Sequence, residues 1–355
     1  MTRRPIVHQF TAVLAGRDAL GHHTLAVDDL LPDLGVDSRI YAAHVHAEVG
    51  DRGRDFRAHD ADPAPDLIIY QASTGTPVAD HVIARREPLV VSYHNMTPSS
   101  FFDPWEPHVA AELDHGRRQL ARICRRAQSG VAVSEYNAGE LRALGLTDVS
   151  VAPVLFEPLA VDAPTAPAPF DGVTLLFVGR LAPNKAQQDL VGVLAALHAG
   201  GTAARLVLVG GSSSGAYVEA IETLARRLGV AESLVITGSV SEAALLGWYG
   251  AADVFVSVSE HEGFCVPVVE AMGLGVPVVA FGSSALPETI GGAGLVLDDK
   301  SPGHVAAAIE RVVGDDAVRA GLVDRGHQRA AELGPPAALD ATRAILDTLV
   351  AGVRS

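Results

Sequence analysis

The chain has 355 residues, 48% of them hydrophobic, enough to bury more than one core. Its 42 acidic against 27 basic side chains leave a formal net charge of −15, which argues against nucleic acid as a partner because phosphate-backbone binding needs a basic face. Two cysteines far apart, Cys124 and Cys265, supply neither a disulfide framework nor a thiol metal site, so a reducing cytoplasm is the default compartment.

In chain order, residues 6–14 read as a strand. A helix over 21–34 follows, with Leu25, Leu30, Leu31 and Leu34 at helical spacing. Gln9 and Arg17 interrupt this leading stretch as a signal peptide. Strands are expected over 39–44, 66–70 and 88–93, with a helix over 78–85. A long helix over 107–127 carries Arg117, Arg118, Arg122, Arg125 and Arg126, a basic run that reads as a solvated face and allows weak peripheral contact with anionic lipid. A strand over 130–133, a helix over 136–144 and a strand over 149–154 close this half. Residues 157–172, with Pro158, Pro164, Pro167 and Pro169, have a linker composition.

The alternation then restarts. Strands are expected over 173–178, 205–209, 234–237, 254–258, 276–280 and 295–297. Helices are expected over 186–198, 216–228, 242–249, most of 302–332, and 336–351. No apolar run is long enough to span a bilayer. Strands alternating with helices predict two doubly wound α/β domains around parallel sheets. The boundaries are 1–160, 161–334, and a terminal helical segment, 335–355. In such sheets ligands bind beyond the carboxyl ends of the strands, and the default site of two facing domains is the cleft between them.

Residues 254–273 focus this reading. Val254 to Val258 has the composition of a buried parallel strand, and Pro267 suits a first helical turn. The loop between them aims free N–H groups outward at a helix start, which is an anion site. Glu262 and Glu270 bracket it. Glu270 is the only charged residue from Gly263 to Pro287, and an unpaired carboxylate there is costly, so it needs a partner. Gly179 and Arg180 leave the carboxyl end of an earlier strand, with Lys185 close behind. A planar fork and a point charge together suit a diphosphate.

Gly179-Arg180 with Lys185, then Thr237-Gly238-Ser239-Val240-Ser241, then Glu262-Gly263-Phe264 to Glu270-Ala271-Met272-Gly273, resemble the retaining glycosyltransferases of family 4, which have the GT-B fold. The first half matches more loosely, through Asp18-Ala19-Leu20-Gly21 and Ser92-Tyr93-His94-Asn95. The resemblance implies two Rossmann-like domains facing a central cleft, and transfer of a hexosyl group from a UDP- or GDP-linked sugar, mannose or glucose. The acceptor would be a sugar, lipid or small molecule. It implies that Arg180 and Lys185 hold the pyrophosphate and that Glu270 accepts from the ribose. Glu262, with the N–H groups of Gly263, Phe264, Cys265 and Val266, would grip the donor sugar and phosphate. Ser239 and Val240 would lie against the base, Gly21 would offer backbone N–H to the diphosphate, and His94 would stand near the transferred sugar. The last helix would pack back onto the first domain.

Asp60-Ala61-Asp62 has the form of metal-binding aspartates but reads as solvated, so no metal is required. The fourteen histidines are scattered, and neither His22-His23 nor His44 and His46 form a ligand constellation. Gly210-Gly211-Ser212-Ser213-Ser214-Gly215 lacks dinucleotide spacing but could line the donor pocket. Another GT-B enzyme, such as a sugar-nucleotide epimerase or phosphorylase, and a non-catalytic Rossmann nucleotide-binding protein are the alternatives.

Overall fold

The structure, a computed structural model, describes residues 3–16, 18–160 and 163–354; Arg17, and Val161 and Asp162 of the linker, lie outside them. Two compact units result. Unit 1 comprises Met1–Ser100, His108–Glu157 and Gly334–Ser355; unit 2 comprises Phe101–Pro107 and Pro158–Leu333. The short segment 101–107, which the sequence reading leaves in the first domain, thus clusters with unit 2.

Unit 1 runs β1 (Ile6–Leu14), α1 (Ala19–Leu30), β2 (Asp37–Val45), β3 (Gly53–Asp55), β4 (Leu67–Ala72), α2 (Pro77–Ala84), β5 (Leu89–Tyr93), α3 (Pro107–Arg126), β6 (Ser129–Ala132), α4 (Glu135–Ala143) and β7 (Val149–Val151). Unit 2 runs β8 (Val173–Val178), α5 (Gln187–Ala199), β9 (Ala204–Val209), α6 (Gly215–Arg227), β10 (Leu234–Gly238), α7 (Glu242–Ala251), β11 (Val254–Ser257), α8 (Val266–Gly273), β12 (Val278–Phe281), α9 (Leu286–Ile290), β13 (Leu295–Leu297), α10 (Pro302–Gly314) and α11 (Asp316–Leu333). The last helix, α12 (Pro335–Arg354), belongs to unit 1, where Ala338, Leu346 and Val350 pack with Val7, Val27, Leu31 and Val90.

Each unit is a parallel sheet. The order is β3-β2-β1-β4-β5-β6-β7 in unit 1 and β10-β9-β8-β11-β12-β13 in unit 2. The order reverses beside the first strand of each unit, between β1 and β4 and between β8 and β11. The crevice beyond the carboxyl ends at that reversal is where a doubly wound sheet takes a ligand. Every residue of β11 is buried, as a strand covered on both faces should be.

The expected elements are present, with two additions. Strand β3, Gly-Arg-Asp, has no apolar pattern and exists only by pairing with β2. Helix α9 is too short to show a periodicity. Three of the five arginines of α3 are engaged with other elements of unit 1, while Arg118 and Arg125 are exposed. Arg117 bonds to the Met96 carbonyl and pairs with Glu140, Arg122 pairs with Asp80, and Arg126 donates to the Arg85 and Glu87 carbonyls. Among the described residues no helix is long and apolar enough to cross a membrane.

Candidate active site

Unit 2 brings Arg180, Lys185 and Glu262 to the strand-order reversal. Strand β8 ends into Gly179 and the exposed Arg180, and a short turn, Pro183–Lys185, then presents Lys185. Strand β11 ends into the loop that carries Glu262. The two meet: Lys185 Nζ lies 2.6 Å from Glu262 Oε1, with side chains only 19% and 9% exposed. Burial opposes the Lys185 ammonium, but the Glu262 carboxylate outweighs it and holds the pKa above its usual value.

Both loops are fastened to each other. Asn184 Nδ2 donates to the His261 carbonyl at 3.0 Å, and the Glu260 N–H donates to the Asn184 carbonyl at 2.8 Å. The Glu262 N–H donates to Ser284 Oγ at 2.7 Å, from a residue held in the left-handed region with φ +46°. Thr289 Oγ donates to the Phe264 carbonyl at 2.6 Å. Sequence reasoning did not find Asn184, Ser284 or Thr289. Their only signal is that an outward-facing loop must be tied from behind.

Cys265 caps α8 with φ +74°, so the chain turns sharply before the helix and leaves the N–H groups of Gly263, Phe264, Cys265 and Val266 without a hydrogen-bond acceptor among the described residues. That is the arrangement of an anion site. Burial first, and then Glu262, push the Cys265 thiol well up, so it stays protonated and is no nucleophile.

Glu270 has its partner. Tyr249 of α7 donates its hydroxyl to Glu270 Oε2 at 2.8 Å, and burial raises the Glu270 pKa. Tyr249→Phe leaves that carboxylate with one donor fewer. The expected result is nucleotide affinity about tenfold lower with the fold retained, since a hydrogen bond to a charged group contributes about 1.5–3 kcal/mol. Titration of the variant with a nucleoside diphosphate checks this, and unchanged affinity counts against a role for Glu270. Ser239 is exposed and Val240 half-buried just past β10; the position of a Cβ on Gly211 would lie 3.0 Å from Ser239 Oγ, so the Gly210-Gly211 turn borders the same corner.

Gly21 and His94 lie in unit 1. Helix α1 begins at Ala19 with Asp18 as its cap, and Asp18 Oδ1 already accepts the Gly21 N–H at 2.7 Å. Gly21 is required for another reason: a Cβ there would stand 1.7 Å from the Ala15 carbonyl oxygen, where the helix crosses the end of β1. His94 follows β5, half-buried, with Nε2 turned inward to Gln71 Oε1 at 2.8 Å and Ser92 Oγ at 3.1 Å. Gln71 in turn donates to Gln9 Oε1 at 2.9 Å, which leaves its own oxygen to accept from His94.

His94 stacks edge-on against His23, ring centres 4.6 Å apart. Burial lowers both pKa values, that of His23 from 6.5 to about 4. His23 Nδ1 also accepts the Leu155 N–H at 3.1 Å, which requires a lone pair. The folded pKa is depressed, so the stability from neutral His23 is full above pH 6.5 and is lost as pH falls towards about 4. The loss expected from this residue is about 3 kcal/mol. Urea midpoints of the natural chain and His23→Gln should converge over that range; a constant difference contradicts the assignment.

The Asp60-Ala61-Asp62 stretch is not simply solvated. Asp62 is 17% exposed and is paired with Arg39 and Arg54, and Tyr41 donates its hydroxyl to it at 2.5 Å. Nor are the histidines all scattered: His59 and His81 stand together beside Asp60.

Residues 172–315 match the family described as Glycosyl transferases group 1. The D-inositol 3-phosphate glycosyltransferase 2 of Catenulispora acidiphila is 36% identical over 183 residues, 49% of this chain and 40% of that protein. The GDP-mannose-dependent alpha-(1-6)-phosphatidylinositol monomannoside mannosyltransferase of Mycobacterium tuberculosis is 35% identical over 151 residues, 40% of this chain and 38% of that protein. The chain thus matches about two-fifths of the length of these relatives. Among solved structures, sucrose-phosphate synthase of Thermosynechococcus elongatus superposes with a TM-score of 0.77 at 18% identity, over 98% of this chain and 100% of that one, which establishes the same fold.

Proposed function

We propose that this chain, whose residues 172–315 form a glycosyl transferases group 1 domain, moves a hexosyl group from a UDP- or GDP-linked sugar to an acceptor with retention at the anomeric carbon. The observation that supports it best is the Lys185–Glu262 ion pair at the strand-order reversal, beside unused N–H groups at the start of α8. A cation, an acid and a ring of amide donors in one place match the demands of a sugar leaving from a diphosphate.

In this reading Arg180 and Lys185 take the pyrophosphate. Cleavage of the sugar–phosphate bond leaves negative charge on the phosphate oxygens while the sugar becomes cation-like. Preorganised positive charge and amide N–H groups aimed at that oxygen lower the barrier more than any other single device. Lys185 exchanges Glu262 for phosphate oxygen as the donor binds, and Glu262 is released to accept from sugar hydroxyls. Glu270, held by Tyr249, accepts from the ribose. Attack and departure occur on the same face, and the departing phosphate takes the acceptor's proton. Charge balance comes from protein cations, so the transfer needs no metal.

The relatives' names make an inositol-bearing acceptor the first to try, and GDP-mannose the first donor. The test is incubation with UDP-glucose or GDP-mannose, each with and without inositol phosphate and phosphatidylinositol. Release of nucleoside diphosphate together with an α-linked product supports the reading. An epimerised sugar nucleotide, or release only with inorganic phosphate, replaces it with one of the other GT-B chemistries.

A further inference from the structure

On one face of the unit 1 sheet, near the amino-terminal ends of the strands, five rings and an acid form a group that the transfer reading does not use. His8 of β1 places Nδ1 2.9 Å from His59 Nε2, and His59 Nδ1 is 3.2 Å from His81 Nε2 on α2. Asp60 Oδ1 is 3.9 Å from the same His59 Nδ1. One ligand atom from each of His59, Asp60 and His81 falls within 4.8 Å of the others. Phe10 and Tyr41 wall the buried His59 ring, centres 4.9 and 4.8 Å away.

We propose that His59, Asp60 and His81 form a divalent-metal site of the zinc class, which clamps the 56–61 turn to the end of α2. Two neutral imidazoles and a carboxylate are the donor set of such a site, with a fourth position left for water. Nitrogens bound to a tetrahedral zinc at about 2.0–2.1 Å lie about 3.3 Å apart, close to the observed His59–His81 spacing. A ligating histidine usually donates its other ring N–H to a second group, and His8 Nδ1 is that group for His59.

Asp60 is the adjustable member. Its side chain is 72% exposed and Arg85 Nη1 lies 2.5 Å from Oδ1. Arg85 also holds Glu87 at 2.6 Å, so it keeps a partner when the ion takes Asp60. Gly21, in the helix after β1, and His94, just after β5, lie beyond the carboxyl ends of the strands, so the ion is a structural clamp and not a participant in transfer.

The full chain, stripped with a chelator and dialysed, is titrated with zinc chloride by calorimetry and with cobalt(II) by visible absorption. One equivalent per chain is expected, with a tetrahedral cobalt spectrum and a raised melting temperature. Asp60→Asn, an exposed and conservative change, should weaken zinc at least about tenfold, and His81→Ala should abolish the stoichiometric site. Absence of a saturable single equivalent overturns the proposal, as does equal zinc affinity in the natural chain and in Asp60→Asn.

Discussion

Replacing Lys185 with alanine is expected to lower kcat/KM for sugar transfer by about one and a half to three and a half orders of magnitude, because a buried cation facing a charged ligand contributes roughly 2–5 kcal/mol, and about 1.4 kcal/mol corresponds to tenfold. The same substitution leaves Glu262 unpaired at 9% side-chain exposure, so the variant should also melt lower. Glu262→Ala should behave alike, leaving the ammonium stranded. The double variant removes both charges and, because the two groups hold different parts of the bound donor, should lose more activity than either single one. Its loss of stability should be smaller than the sum of the single losses, since neither charge is then left unpaired. Kinetics and melting curves of the four proteins measure this. Additive losses of stability would mean that the ion pair does not hold the fold, and full activity in either single variant would contradict its place in the donor site.

The second large effect is expected at Gly210. Its φ is +145°, and a Cβ would stand 2.1 Å from the Gly179 carbonyl oxygen, itself on a glycine with φ +147°. The turns after β8 and β9 therefore pass each other backbone to backbone, with the Gly179 N–H bonded to the Val209 carbonyl at 2.9 Å. Gly210→Ala must displace one turn and adopt a disfavoured backbone. Each costs about 1–3 kcal/mol, and together they should lower stability by about 2–6 kcal/mol. Because Gly179 precedes Arg180, nucleotide binding should weaken alongside the melting temperature. Denaturant unfolding and a nucleotide titration check the two arms; an alanine variant as stable as the natural chain contradicts the close approach.

Much of this was legible in the residues themselves. Val254 to Val258 announced a strand covered on both faces, and the lone charge of Glu270 demanded a partner that proved to be Tyr249. The identity of that partner was not legible, because nothing local marks a tyrosine 21 residues earlier as its neighbour. Asp18 carried a capping signal three positions ahead of the helix start first read at Gly21, and its carboxylate takes the Gly21 N–H. Asp62 looked solvated because Arg39 and Arg54 reach it only after β2 and β3 pair. His59 and His81 are separated by a strand and half a helix in sequence, and only the sheet brings them together. The pattern of burial is written locally, whereas the pairing of polar groups across elements is written in the topology.

The most direct measurement is calorimetric titration of the full chain with UDP, GDP and the corresponding monophosphates, repeated on Arg180→Ala. A cradle for a doubly charged leaving group predicts one site per chain, a diphosphate bound at least about tenfold more tightly than its monophosphate, and loss of most of that gap in the variant. Equal affinity for mono- and diphosphates, or a gap that survives without Arg180, would contradict it.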